Sequence, residues 1–279
     1  MSDTQQFRRM HFSLKDRIVS FLSDKVFQNF SYTVRHGLIQ GMKRKGGLGF
    51  LPAAFARSPQ GEAEVAFLFS LDLKDKVVYD IGAFQGIMTL FFARQAKTVV
   101  TYEPHPASHR RVLENVEVNA LHNVIVLNRA VGDRDGTLTL TYDPLLPGAA
   151  SGDSIIRAQI VDSHAGAVTL AVTVVRLDDD IERSGLPLPD FIKIDIEGME
   201  LAALVGMKNT LLRCRPAVYI EMHGATVEEK EENARRVIQL LTEISYQNIV
   251  HIESGTMITP SNASMARQGH IFCTSGPHA

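Results

Sequence analysis

The chain has 279 residues, 45% hydrophobic and 22% charged, with a formal net charge of −2 and two cysteines. That length and apolar content suit one large α/β domain with a buried core, and the charge argues against a nucleic-acid partner. No apolar run approaches the ~20 residues that cross a bilayer, so no transmembrane segment is expected. The opening "MSDTQQFRRMHFSLKDR" lacks an apolar leader segment, so a cytoplasmic chain with reduced Cys214 and Cys273 is expected.

The charge is uneven along the chain. Residues 1–45 hold nine Lys/Arg against Asp3, Asp16 and Asp24, so this arm carries +6 and the remainder −8. Leu14, Ile18, Leu22, Val26 and Phe30 recur at every fourth position, and Phe21 widens the stripe. This pattern predicts an N-terminal helical extension over residues 1–55, packed as a lid on a second unit spanning residues 56–279. A homodimer with shared arms and peripheral contact with an anionic membrane are the alternatives for that arm. "KRKGGLGFLP" breaks the helical pattern near Pro52.

From "GEAEVAFLFSLDL" onward, strand-like and helix-like runs alternate. "KVVYDIGA" is a strand entering a tight turn, and "GIMTLFFARQA" is its helix. "TVVTYEP" and "NVIVLNRAVGD" are the next strands, with "ASHRRVLENVEVNA" between them as a helix. Such units of ~30 residues make a parallel sheet with right-handed crossovers. The Gly/Ala/Ser-rich "DPLLPGAASGDSIIRAQIVDSHAGA" reads as a substrate-side loop or an extra hairpin connection between two β-rich runs. "DFIKIDIEG" and "PAVYIEMHG" are the fourth and fifth core strands, and "YQNIVHIE" and "HIFCTS" close the sheet.

The turn Asp80-Ile-Gly82-Ala83-Phe84-Gln85-Gly86 departs from the dinucleotide fingerprint, which needs a glycine where Phe84 stands. An acid followed by two glycines suits a smaller, cationic ligand that carries no phosphate, and S-adenosylmethionine is one. Gly82 and Gly86 allow close backbone approach. Glu103, at the next strand end, suits two ribose hydroxyls, and Asn128, at the third, suits an adenine edge. His105 and Pro106 are placed to pack on that ring.

These motifs together resemble the FkbM family of class I S-adenosylmethionine-dependent methyltransferases, over about Val77 to Cys273. The likeness rests on "DIGAFQG", "YEPHP", "ENVEVNALHNV", "NRAVGD", "IKIDIEGME" and "VYIEMHG" in that order. It implies a Rossmann-like, mostly parallel seven-stranded sheet with helices on both faces, and O-methylation of a sugar, glycolipid or other secondary metabolite. The acceptor is then a small-molecule or glycan hydroxyl. Asp80, Gly82, Ala83, Phe84, Gly86, Glu103, Pro104, Asn128 and Asp195 are the expected cofactor contacts. The family's loop usually has a small or amide residue at the Phe84 and Gln85 positions, so the wall of the methionine pocket differs here.

A hydroxyl acceptor needs a base. "KIDIEG" carries Asp195 and Glu197 two residues apart, with Lys193 on the same side, and "YIEMHG" carries Glu221 and His223 likewise. His223 is the natural base, with Glu221, then Asp195 and Glu197. The same four residues would suit Mg²⁺ or Mn²⁺ holding a diol. Glu200 reads as an exposed first-turn acid, and the remaining histidines, His251 and His270 among them, show no ligand spacing. An oxidoreductase using NAD and a non-catalytic S-adenosylmethionine-binding module are the competing functions.

Overall fold

The computed structural model describes residues 29–46, 59–143, 146–163 and 166–276. Its first described element is not helical. Strands β1 (Ser31–Thr33) and β2 (Lys43–Lys45) pair antiparallel as a hairpin, which corrects the helix expected up to residue 45. Most of the predicted apolar stripe and the boundary near Pro52 lie outside the described residues. Phe30 is described, and it is half exposed and stacked on Tyr32.

Helix α1 (Pro59–Ser70) leads into the alternating units read from the sequence. These are β3 (Val77–Ile81), α2 (Ile87–Ala93), β4 (Thr98–Tyr102), α3 (Pro106–Val118) and β5 (Val124–Leu127). The expected third strand stops early at Leu127, and its remainder, β6 (Ala130–Gly132), joins a different sheet. That second sheet contains the two β-rich runs expected, and of the two readings of the segment between them it takes the hairpin connection. β7 (Gly136–Asp143), β8 (Leu146–Ser151) and β9 (Val168–Arg176) follow, with helix α4 (Ser154–Ser163) between the last two. Together they form a four-stranded sheet in the order β6-β9-β7-β8.

Helix α5 (Leu177–Ser184) returns the chain to β10 (Phe191–Ile194), then α6 (Glu200–Gly206), α7 (Lys208–Cys214) and β11 (Ala217–Glu221). Helix α8 (Val227–Glu243) precedes β12 (Asn248–His251), the two-residue β13 (Thr256–Met257), a 3₁₀ turn at Pro260–Ala266 and β14 (His270–Thr274). Among the described residues the main sheet has eight strands, ordered β13-β12-β14-β11-β10-β3-β4-β5. Seven are the strands expected, and β13 adds a short edge. The run from β11 to β5 is parallel, and β14 inserts antiparallel beside β11.

Both faces of this sheet are covered, so its strands read as nearly continuous apolar runs. Val78 and Val99 pack with Phe91 and Phe92 on one side. Tyr79, Ile81, Val100, Tyr102, Ile192 and Ile194 pack on the other. All parallel strands end at one edge, beneath the small sheet, and the polar residues of the motifs gather there.

Candidate active site

A cavity of about 160 Å³ opens at this edge, bounded by Ile81, Gly82, Phe84, Glu103, Pro104, Asp195 and Glu197. Leu138, Leu140 and Ala150 of the small sheet, with Gly152 just after it, roof it, so this sheet builds an apolar wall.

Gly82 has φ +84, and a Cβ there would stand 1.9 Å from the Asp195 carbonyl oxygen. Only glycine lets the two strand ends meet this closely. The Gly82 and Ala83 amides donate to the Tyr102 carbonyl at 3.0 and 3.3 Å, which folds the turn over β4. Ala83 is buried behind it, and Gly86 (φ +81) caps α2. Phe84 lines the cavity, and its amide donates to Glu103 Oε2 at 2.6 Å, while the His105 amide donates to Glu103 Oε1 at 2.9 Å. Burial raises the Glu103 pKa to about 7 against the pull of these two donors. His105 lines the cavity, but its Nδ1 accepts from the Ser108 amide at 3.3 Å as the cap of α3.

Four expected cofactor contacts lie off the cavity lining: Ala83 and Gly86, which shape the turn behind it, and Asp80 and Asn128. Asp80 is fully buried and outside the cavity, because side chains alternate along a strand and Ile81 takes the cavity side. Its Oδ2 accepts from Thr89 Oγ1 at 2.6 Å, and its Oδ1 stands 3.4 Å from Lys193 Nζ. Asn128 also lies off the cavity lining, and its amide nitrogen donates to the Glu103 and Pro104 carbonyls at 2.9 Å each. Asn128 therefore fixes the turn that carries Glu103.

The four candidate acceptor-side residues do converge. Strand β10 ends at Ile194, so Asp195 and Glu197 belong to the turn after it, and Glu197 takes a left-handed φ of +52. Ser151 Oγ of the small sheet donates to the Glu197 carbonyl at 2.6 Å and steadies that turn. His223 Nε2 lies 3.8 Å from Asp195 Oδ1, 3.8 Å from Glu197 Oε2 and 3.5 Å from Glu221 Oε1. Its Nδ1 meets Glu200 Oε1 at 2.9 Å.

Glu200, expected to be exposed, is completely buried. It also accepts from the Gly198 amide at 3.0 Å and from Asn233 Nδ2 at 2.9 Å. Burial alone would lower the His223 pKa, but its bonds to Glu200 and Glu221 and the charge on Glu197 hold it up at about 11. His223 is thus an imidazolium at neutral pH, a poor base and a good organiser of acids. Burial lifts Glu197 to about 7 despite the nearby His223 charge. Burial pushes Glu221 up as well, yet its contacts with His223 and His270 win and keep its pKa far below the usual carboxylate range.

Asp195, Glu197 and His223 offer one ligand atom each within 4.8 Å of one another, a mixed oxygen and nitrogen set of the kind divalent cations use. Across the cluster Lys193, also buried, pairs with Asp195 Oδ2 at 3.1 Å and donates to the Gly82 carbonyl at 2.7 Å.

Two functional neighbours escaped the sequence reading. Glu200 is three residues from Glu197 but turns inward under His223. His270 is brought beside Glu221 only by the antiparallel pairing of β14 with β11, a register that no local pattern announces.

A parallel sheet of this strand order, with one antiparallel strand inserted and polar groups at its carboxyl edge, defines a class I methyltransferase fold. The profile of the Methyltransferase FkbM domain matches residues 80–247. The chain belongs to the FkbM methyltransferase family, which makes it a group-transfer enzyme and removes the oxidoreductase alternative. It is 28% identical over 193 residues to the hexuronic acid methyltransferase AglP of Haloferax volcanii, covering 69% of this chain and 75% of that one. It is 30% identical over 155 residues to the methyltransferase sdnD of Sordaria araneosa, covering 47% of this chain and 60% of that one. The 2-O-methyltransferase NoeI of Sinorhizobium fredii is 27% identical over 180 residues, covering 61% of this chain and 73% of that one. No helix among the described residues is long and apolar enough to cross a membrane.

Proposed function

We propose that this enzyme transfers the methyl group of S-adenosylmethionine to a hydroxyl of a sugar or sugar-bearing acceptor. The observation that carries the reading is the sharing of Asp195 and Glu197 between the cavity and the His223 cluster. Donor and acceptor sides meet at those two carboxylates. The similarity to a hexuronic acid methyltransferase and a 2-O-methyltransferase supports a sugar as the acceptor class.

The cavity's chemistry fits the cofactor. Glu103 is a buried acceptor for a hydroxyl pair, Leu138 and Leu140 give an apolar face for a base, and Asp195 supplies negative charge for a cation. When bound, the cofactor supplies an electrophilic methyl on a positively charged sulfur. Alignment of the acceptor oxygen with that methyl is worth ~7–11 kcal/mol, and the left-handed turn at Glu197 and Gly198 sets the acceptor's approach. Glu197 would take the proton of the acceptor hydroxyl, because its basicity suits neutral pH. His223 stays protonated and keeps Asp195, Glu197 and Glu221 from repelling one another.

The test has two arms. Calorimetry should show binding of S-adenosylhomocysteine that weakens in Glu103→Ala. Incubation with S-adenosylmethionine and a panel of hexuronates, glycosides and non-sugar alcohols, read by mass spectrometry, should give a mass gain of one methyl on sugars. No cofactor binding sinks the reading; methylation confined to non-sugar acceptors sinks its substrate half.

A further inference from the structure

A second buried histidine stands behind the acceptor cluster. The pairing of β11 with β14 sets Glu221 opposite His270. Glu221 is then gripped from both sides. Its Oε1 stands 3.5 Å from His223 Nε2, and its Oε2 stands 3.5 Å from His270 Nε2.

The His270 ring has little freedom of its own. Glu253 Oε1 meets its Nδ1 at 2.6 Å, and Glu253 Oε2 accepts from its backbone amide at 3.0 Å. One ring face lies on Tyr219, with centroids 5.1 Å apart and planes 3° from parallel. The Tyr219 hydroxyl donates to Glu64 Oε1 at 2.9 Å, and that carboxylate sits 3.4 Å from His270 Nε2. His251 completes the surroundings, with Nε2 3.2 Å from Glu253 Oε2. Only 8% of His270 is exposed, so this arrangement is not a solvated surface pair. His270, Glu253 and Glu64 all lie outside residues 80–247, the span matched by the family profile.

We propose that His270 is a positioning residue for methyl transfer: it fixes one oxygen of Glu221, so that the other oxygen holds His223 among Asp195 and Glu197. The inference rests on the acceptor-side reading of that cluster. His223 has two handles, Glu200 on Nδ1 and Glu221 on Nε2. Glu200 is fully buried and bonded to the Gly198 amide and Asn233, whereas Glu221 ends a strand with its side chain partly open to solvent. Without His270, Glu221 keeps one cation and a free rotor. His223 then loses the second of the two contacts that aim its ring at Glu197.

Two isosteres separate positioning from bulk packing. An Asn amide mimics the His Nδ1 donor and keeps the Glu253 contact alone; a Gln amide reaches as Nε2 does, toward Glu221. His270→Asn should lower kcat about tenfold with the KM for S-adenosylmethionine within about threefold, and His270→Gln should recover most of that loss. Added to Glu221→Gln, His270→Asn should cost nothing further, because it acts through the group already removed. Glu253→Gln, which loosens the ring while keeping the histidine, should behave like His270→Asn and serves if that variant does not fold. Side-chain ¹⁵N spectra need no acceptor: the His223 ring resonances should move in both Glu221→Gln and His270→Asn.

Wild-type kcat in His270→Asn, equal losses in Asn and Gln, or effects that multiply with Glu221→Gln would overturn the proposal. Unmoved His223 resonances in His270→Asn would overturn it too. If Glu221→Gln itself turns over at the wild-type rate, the acceptor-side role of Glu221 falls instead, and the spectra alone decide whether the clamp exists.

Discussion

Replacing Glu197 by Gln keeps the shape of the side chain and removes its ability to take a proton. A positioned base contributes about 10²–10⁴-fold to a proton-transfer step, so kcat should fall by that much. The pH dependence gives a second magnitude. With its pKa raised by burial to about 7, Glu197 is about one-tenth ionised at pH 6 and about nine-tenths at pH 8. Wild-type kcat should therefore rise about tenfold across that interval and then level off. Glu197→Gln should show neither the rate nor the rise. Binding of S-adenosylhomocysteine should change only a few-fold, because Glu103 is the buried partner proposed for the cofactor.

The position of the rise also discriminates between candidates. His223 is held protonated up to about 11, so an enzyme that used it as the base would keep accelerating far into the alkaline range. The assay is initial-rate methyl transfer read by mass spectrometry across the neutral and alkaline range, with calorimetry on both proteins. A Glu197→Gln enzyme within threefold of wild type, or one that keeps a limb near neutrality, refutes the reasoning.

Glu103→Gln should weaken S-adenosylhomocysteine about 10- to 150-fold, the worth of a hydrogen bond to a charged group. Since burial sets Glu103 near 7, wild-type calorimetry should also show tighter binding as pH rises through that value, and flat affinity would contradict its role. Gly82→Ala forces a Cβ to 1.9 Å from the Asp195 carbonyl at a φ of +84, a strain of roughly 1–3 kcal/mol or more; urea unfolding as stable as wild type would mean the turn is misread. His223 titrates at about 11 against an ordinary 6.5, so its contribution to stability is complete below the lower value and lost as pH climbs to the upper one. The gap in urea midpoint between wild type and His223→Ala should shrink over that window, and a constant gap would assign the effect to packing. Treatment with EDTA should leave turnover intact, whereas a loss restored by Mg²⁺ or Mn²⁺ would place Asp195, Glu197 and His223 in a metal shell.

The parallel units were legible because each is local: an apolar run, a glycine turn and an amphipathic helix within ~30 residues. What failed was facing. A strand buried on both sides carries no polar alternation, so nothing in "VVYDIG" says that Ile81 looks into the cavity and Asp80 away from it. Of the small sheet, β7 and β9 were legible as β-rich runs, whereas β8 was not, for another reason. β8 reads "LPGAAS", a segment of low strand propensity held by its pairing with β7. The hairpin at the arm's end is likewise fixed by tertiary contacts. The Lys43 amide donates to Asn119, at the C-terminal cap of α3, and the Lys45 amide to Asn115 of α3, at 2.8 Å each, and Arg44 reaches Gln85 in the glycine turn. Basic residues that suit an exposed helix face serve there as a strand lying beside the glycine turn.

Asp80 carries an acid where the cofactor reading wanted one, yet it points away, and Lys193 supplies the reason. The β3–β10 register sets Asp80 beside Lys193, and the buried ammonium reaches Asp80, the Gly82 carbonyl and Asp195 at 3.4, 2.7 and 3.1 Å. An unpaired ammonium in that position would be costly, and so would either carboxylate without it. One cation thus joins the glycine turn after β3 to the acid after β10. The "DIG" and "KID" motifs, more than a hundred residues apart, share this one ammonium between two carboxylates. Asp80 supports the glycine turn from beneath, by holding Lys193 in place, and the negative charge that faces the cavity comes from Asp195, across the same ion pair.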